Sequence, residues 1–383
     1  MDRKHYDEQH VAFGAAFRAF VDKAIAPRYE RFGAEGITSR DVFLEAGRSG
    51  FLGMQVPEEF GGGGTDDFRF NQILAEQVAA AGVGATGMGI ALHNDICLPY
   101  LTSYSNVERK QRWLPGIASG ELITAVAMTE PGAGSDLAGI RTRAVRDGDR
   151  YVLDGAKTFI SNGINADLVI VACKTGSSGE RRSGISLLVV ERGMAGFERG
   201  RNLAKLGLHA QDTAEISFTN VSVPVDNLLG EEGQGFAYLS TNLPQERTSI
   251  AVAALAEARA AFDETLRFVR SREAFGTTVA SFQNTKFVLA DIATEINVAQ
   301  AYLDACVDRL SSAELSAADA AAAKYHCTEL QGRVVDRCLQ LHGGYGYMSE
   351  YPISHRYADA RVTRIYGGTS EIMRSVISKS IGL

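Results

Sequence analysis

The hydrophobic pattern of this chain changes period twice, and those two changes limit its fold more than any single motif does. Up to about Gly120 the apolar residues recur at helical spacing. Val11, Phe13, Phe17, Phe20, Val21, Ala24 and Ile25 fall largely three and four apart, and Pro27 closes the run. Ser39 or Thr38 is placed to cap a second helix through Leu44, and two more fit Phe68 to Ala81 and Ala85 to Tyr104. Ser105 or Asn106 then caps a short helix through Trp113, which Pro115 and Gly116 are expected to end. Gly61 to Gly64 read as a flexible loop, because no Gly-Lys-Ser/Thr follows to make them a phosphate loop.

Beyond Gly120 the period shortens. Leu122–Met128, Tyr151–Leu153, Leu168–Cys173, Ile185–Val190 and Ala214–Val221 are short apolar or alternating runs rich in Val, Ile and Thr. Turn residues at Arg146–Asp149, Ser177–Gly179, Asp226-Asn227 and Gly230 separate or follow them. No helix-length segment interrupts these runs and no G-x-G-x-x-G follows a strand, which argues against a doubly wound nucleotide fold. From Gly235 the helical stripe returns through Phe236, Leu239, Leu243, Ile250, Ala254 and Phe262, with Pro244 an expected kink or fresh start. Further helices are predicted from Gln283 to Arg309, from Ser316 or Asp319 to Leu339, and after Thr369; His342, Gly343 and Gly344 supply a glycine stop. The expectation is an α+β multidomain chain. A helical domain spans residues 1–121, a β-barrel or sandwich 122–232, and a C-terminal four-helix bundle 233–383.

A net charge of −7 argues against a nucleic-acid or anionic-membrane binder, and no apolar run approaches the ~20 residues of a membrane span. Five scattered cysteines form neither a disulfide framework nor a zinc site and suit a reducing compartment. The first residues lack an apolar core and carry early acids, so a cytoplasmic, most simply bacterial, chain is expected. The histidines show no metal-ligand spacing, so no metal site is expected.

The densest local chemistry lies between Ala125 and Asp136. An apolar run enters a turn in which Pro131 fixes φ, while Gly132 and Gly134 allow backbone conformations and close approach that a Cβ would forbid. Successive N–H groups there can form a nest for an anionic atom, with Thr129, Ser135 and Asp136 on the rim.

This loop, Met128 to Asp136 (MTEPGAGSD), resembles the signature of the acyl-CoA dehydrogenase flavoproteins, and the blocks that follow keep the family's order. They are Phe159–Gly163 (FISNG), Arg272–Gly276 (REAFG) with Gln283, Gln340–Gly344 (QLHGG) and Ile365–Glu371 (IYGGTSE). The resemblance covers essentially the whole chain and implies three domains, FAD as cofactor, an acyl-CoA substrate, an electron-transfer flavoprotein as partner and a homotetramer built as a dimer of dimers. By the same resemblance Met128, Thr129, Gly134 and Ser135 line the flavin ring on one side and Phe159, Ile160 and Ser161 on the other. Arg272, Phe275 and Gln283, reaching from a neighbouring subunit, grip the ADP half with Gln340, Leu341, Gly343 and Gly344. Thr369 and Glu371 touch FAD near the last helix start.

Dehydrogenation of adjacent saturated carbons takes a base for the α-proton, an acceptor for the β-hydride and a donor for charge on the thioester oxygen. Many family members place the base just before the Gly-Thr of the last block, where this chain has Gly367. A subgroup places it in the helix that opens the C-terminal domain, before an arginine, and Leu243–Arg247 (LPQER) looks most like the long-chain enzymes. Glu246 is therefore the expected base, with Gly367 as vacated space facing it, and Arg247 either orients Glu246 or holds the bundle together. Pro244, Gln245, Gly367, Gly368 and Ser135 are expected at the substrate, the Gly367 N–H polarising the thioester carbonyl. The expected reaction is conversion of a saturated acyl-CoA, medium or long in chain, to trans-2-enoyl-CoA, as in fatty acid β-oxidation. The alternatives are a branched-chain, isovaleryl-type dehydrogenase, a flavin monooxygenase or oxidase on the same fold, and a non-catalytic acyl-CoA-binding subunit.

Overall fold

A computed structural model describes residues 3–176 and 184–383; the turn expected at Ser177–Gly179 lies outside the described residues. The first helical layer comprises α1 (Glu8–Phe20), α2 (Tyr29–Glu35), α3 (Arg40–Arg48), α4 (Arg69–Ala81), α5 (Gly84–Ala91), α6 (Leu98–Tyr104) and α7 (Val107–Ala118). Ser39 caps α3 by accepting the Asp41 N–H, and Asn106 caps α7 by accepting the Arg109 N–H. Helix α7 runs through Pro115 rather than ending there. Trp113, Leu114, Ile117 and Ala118 bury one apolar face, and that burial outweighs the one hydrogen bond the proline removes. Gly61–Gly64 likewise correct the expectation of a flexible loop. The N–H groups of Gly62, Gly63 and Gly64 bond to the carbonyls of Pro57, Gly53 and Val56, folding the run onto its own neighbours. No helix among the described residues is long and apolar enough to cross a membrane.

The middle of the chain forms β1 (Thr124–Ala127), β2 (Arg143–Asp147), β3 (Arg150–Ser161), β4 (Leu168–Lys174), β5 (Ile185–Glu191), β6 (Phe197–Asn202), β7 (Thr213–Pro224) and β8 (Leu228–Leu229). They pair in the order β6-β7-β3-β2-β4-β5-β8, with β1 parallel to β4. One register pair, Arg143 with Lys174, joins β2 to β4, so the path bends there and the two halves face each other. Alternation along β4 explains how one strand serves two cores. Val169, Val171 and Cys173 point into the space between the halves, where Leu153, Ile216 and Phe218 meet them. Leu168, Ile170 and Ala172 point the other way, into a cluster with Tyr100, Leu101 and Trp113 of the helical layer.

The last part is helical: α8 (Gly235–Ser271), α9 (Gln283–Ser311), α10 (Ala317–His342), α11 (Pro352–Thr363) and α12 (Ser370–Ser380). Pro244, expected as a kink or a fresh start, does not begin a new helix: α8 is one helix of 37 residues that includes it. Ala251, Ala254, Ala258 and Ala261 form a small-residue stripe on α8 that packs against Ile292, Ala323, Cys327 and Leu330 of α9 and α10. The long buried face carries the helix across the proline. A short two-stranded hairpin, Glu273–Ala274 with Thr277–Thr278, and helix α11 have no counterpart in the sequence reading.

Candidate active site

Glu246 lies on α8 near its N-terminal third and is 4 % exposed. Its Oε1 accepts a hydrogen bond of 2.6 Å from the phenol of Tyr100, a wholly buried residue of α6. Burial pushes the Glu246 carboxyl up to about 7, against the opposing pull of the Tyr100 hydrogen bond and the Arg247 charge. A carboxylic acid with that value holds an appreciable fraction of carboxylate at neutral pH and is basic enough to accept a proton. Arg247 is also buried, and its Nε has no hydrogen-bond partner among the described residues. Pro244 and Gln245 precede this pair on α8. The Gln245 amide donates to the Asp95 backbone carbonyl at 2.9 Å and so ties α8 to the helical segment Leu92–Cys97 that joins α5 to α6.

Gly367 and Gly368 sit at φ +63° and +97°, in a turn that leads into α12, where Thr369 accepts the Ile372 N–H. The space beside Gly367 is not vacant, as the sequence reading had it. A Cβ there would lie 2.3 Å from Cδ1 of Ile250, a residue one helical turn beyond Glu246. The Gly368 carbonyl accepts a 2.7 Å bond from Nζ of Lys324, which is fully buried on α10. Burial, and then the nearby Arg247 charge, pull that amine down to about 8. Sequence reasoning missed both Tyr100 and Lys324. The one signal either gave was a polar tip within an apolar helical stripe.

The loop after β1 is pinned from below. Glu130 and Ala133 exchange two backbone bonds, closing a tight turn over Pro131 and Gly132. Nζ of Lys157, on β3, donates to the Met128 carbonyl and to Glu130 Oε1, both at 2.9 Å. Against the burial that opposes it, hydrogen bonds from Thr142, Arg141 and Lys157 hold the Glu130 carboxyl below the usual range. Burial pulls the Lys157 amine down, so this ion pair is maintained at a desolvation cost. Met128 and Ala133 pack in the same apolar cluster as Tyr100 and Leu239, which brings the loop to the Glu246 side of the molecule.

Neither Gly132 nor Gly134 is at positive φ, and a Cβ on either would meet nothing within 4 Å, correcting the expectation that the backbone required glycine. What glycine provides here is an open surface, with Ser135 exposed beside it. Across from the loop, the Thr158 N–H bonds to the Thr129 carbonyl at 3.0 Å, and a register irregularity follows between Lys157 and Ile160. It turns Phe159 outward, 67 % exposed at φ +61°, while Ile160 is buried and Ser161 is half-buried. A large aromatic held outward in the left-handed region is strained, and such strain gathers where a ligand is to be met. An open glycine turn, an exposed aromatic and half-buried Met128 and Thr129 together fit the flat ring of a flavin.

Apart from Thr369 and Glu371, which follow the glycine turn at the start of α12, the remaining expected cofactor residues lie elsewhere. Arg272 at the end of α8, with Gln340, Leu341, Gly343 and Gly344 at the end of α10, lines a groove of about 540 Å³. The Arg272 guanidinium lies 5.0 Å over the Tyr345 ring. Phe275, at φ +53°, is 98 % exposed, and Gln283 is exposed at the start of α9. Glu371 is exposed on the first turn of α12, paired with Arg374. Glu246 and Arg272 are 26 residues apart on one helix, about 39 Å at 1.5 Å per residue. The structure thus brings the loop after β1, Glu246 and the glycine turn into one region and leaves the Arg272 groove far from it within a single chain.

Comparison with known proteins gives this geometry a family. Domain models of acyl-CoA dehydrogenases match in order: the N-terminal domain over residues 7–121, the middle domain over 125–221 and the C-terminal domain over 233–382. The mitochondrial long-chain specific acyl-CoA dehydrogenase of Rattus norvegicus is 44% identical over 382 residues, 99% of this chain and 88% of that protein. An acyl-CoA dehydrogenase structure from Geobacillus kaustophilus superposes with a TM-score of 0.97 at 47% identity, over 99% of this chain and 100% of the other. A Mycobacterium smegmatis glutaryl-CoA dehydrogenase in complex with FADH2 follows at 0.91 and 26%, over 99% and 96%. With every domain matched in sequence and each relative aligned along nearly the whole chain, this protein belongs to the acyl-CoA dehydrogenase family and is an FAD-dependent oxidoreductase of that kind.

Proposed function

We propose that the chain oxidises medium- or long-chain saturated acyl-CoA thioesters to trans-2-enoyl-CoA and passes the electrons to an electron-transfer flavoprotein. The observation that carries this reading is Glu246, a buried carboxyl brought to about 7 on the helix that faces the glycine turn at Gly367. Glu246 takes the proton from the α-carbon. The Gly367 N–H, with Gly368 beside it, polarises the thioester carbonyl, so charge is stabilised where it grows. FAD, when bound, accepts the β-hydrogen as hydride. Met128, Thr129, Gly134 and Ser135 hold the flavin ring against Phe159, Ile160 and Ser161. Thr369 and Glu371 approach the cofactor at the start of α12, whose N–H groups favour phosphate.

Arg272, Phe275, Gln283, Gln340, Leu341, Gly343 and Gly344 complete the cofactor site of a neighbouring copy, since about 39 Å of helix separates them from Glu246. That arrangement asks for at least a dimer, and a tetramer of two such pairs is the assembly we favour. The 44% identity with the long-chain specific rat enzyme supports the preference for extended acyl chains.

Anaerobic titration of the purified flavoprotein with a long-chain saturated acyl-CoA tests the reading, because oxidation of substrate bleaches the flavin band. The wild type should bleach, and Glu246→Gln should bind the thioester yet bleach about 10²–10⁴ times more slowly. Bleaching of the variant at the wild-type rate excludes Glu246 as the base.

A further inference from the structure

The base does not stand alone in its pocket. Tyr100 comes from α6 of the N-terminal helical domain and Glu246 from α8, 146 residues later, yet the phenol and the carboxyl oxygen are 2.6 Å apart and both side chains are buried. Tyr100 itself is fixed: its ring packs in the apolar cluster that also holds Trp113, Leu98 and Leu239. The other groups around the carboxyl do not duplicate this contact. Arg247 on the same helix acts on Glu246 through its charge, Lys324 on α10 interacts with Arg247 and donates to the Gly368 carbonyl, and the buried Cys97 thiol before α6 is itself raised by burial.

We propose that Tyr100 is a positioning residue for the dehydrogenation: its hydroxyl anchors Oε1 of Glu246 and leaves Oε2 as the oxygen that receives the α-proton. This rests on Glu246 being the base. The phenol donates a hydrogen bond and keeps its own proton throughout. The C–H bond at the α-carbon breaks, its proton bonds to Oε2, and its electron pair stays with the substrate. Two consequences follow. A carboxylate on a flexible Glu side chain is held in one rotamer across a domain boundary, so less motion has to be frozen as the proton is transferred. The bond also favours the ionised carboxyl against the burial that disfavours it, so the base is ready at neutral pH.

The test is the pH profile of kcat/KM with a long-chain acyl-CoA, whose acid limb reports the free enzyme's base. In the wild type, activity should rise as pH increases through about 7, as the Glu246 carboxyl loses its proton. Tyr100→Phe keeps the ring and removes the donor. The acid limb should move to higher pH by on the order of one unit, and kcat should fall about tenfold with KM nearly unchanged. Difluorotyrosine placed at position 100 is a stronger donor of nearly the same shape, and should move the limb to lower pH. It also keeps the proposal open to refutation if Tyr100→Phe loses its flavin. An acid limb that stays put in the difluorotyrosine enzyme, or in a Tyr100→Phe variant with full flavin, overturns the proposal. Glu246→Gln, measured alongside, separates the two readings. If it is inactive while the limb is insensitive to position 100, the role of Tyr100 alone fails; if it turns over normally, the base assignment fails with it.

Discussion

At the scale of single residues, Gly367 shows how backbone conformation and a neighbouring side chain together favour glycine at one position. Its φ of +63° is unfavourable for any residue with a Cβ, and Ile250 already fills the space the Cβ would enter. Gly367→Ala should therefore lower stability by about 1–3 kcal/mol in chemical denaturation. Ile250→Ala alone removes a buried side chain and carries its own cost, so the comparison is between backgrounds. In Ile250→Ala, changing Gly367 to Ala should cost less than in the wild type but still cost stability, because the backbone strain remains. No cost at all for the Gly367 change in the Ile250→Ala background would mean that the clash alone accounts for the loss. The buried Glu246 could be singled out in the sequence because it and Arg247 are adjacent in the chain. Tyr100 and Lys324 were not, because their partners lie 146 and 44 residues away and no local pattern encodes the meeting.

At the scale of elements, the loop after β1 depends on β3. The buried pair of Lys157 and Glu130 holds the Met128 carbonyl and the start of the turn, so the floor of the surface we propose for the flavin is set by a strand well removed in sequence. Lys157→Met leaves a buried carboxylate without its counter-charge and should cost about 3–5 kcal/mol. Thermal unfolding should report that loss, with faster release of FAD on dilution. The stabilising share of Glu130 follows from its lowered value: it is present above the carboxyl's unfolded value and is lost as pH falls through the folded one. The variant should therefore lose the most ground near neutrality and the least in acid. Periodicity located the helical and β regions, since long stripes and alternation survive tertiary context. It failed at Pro115, where α7 was expected to end, and Pro244 starts no new helix, because burial along α7 and α8 outweighs the local preference against proline. The hairpin at Glu273–Thr278 was illegible for the opposite reason: two-residue strands leave no period to read.

At the scale of the whole molecule, one helix carries the buried Glu246, which we propose as the base, and, about 39 Å on, the groove at Arg272. On the proposed reading each end serves a different cofactor. Co-expressing Arg272→Glu with Glu246→Gln tests this directly. Each homomer should be nearly inactive, the first for want of FAD and the second for want of a base. Mixed oligomers should regain up to about a quarter to a half of wild-type turnover, because some sites combine an intact base with an intact groove. No recovery in verified mixed oligomers would place both residues in the same site. The span of α8 has a further consequence for the life of the chain in the cell. On the proposed reading, a newly made protomer that has not met a partner holds fragments of two workplaces and the whole of neither; thioester oxidation would then begin only at assembly, and an unpaired chain could not draw electrons from substrate with nowhere to send them.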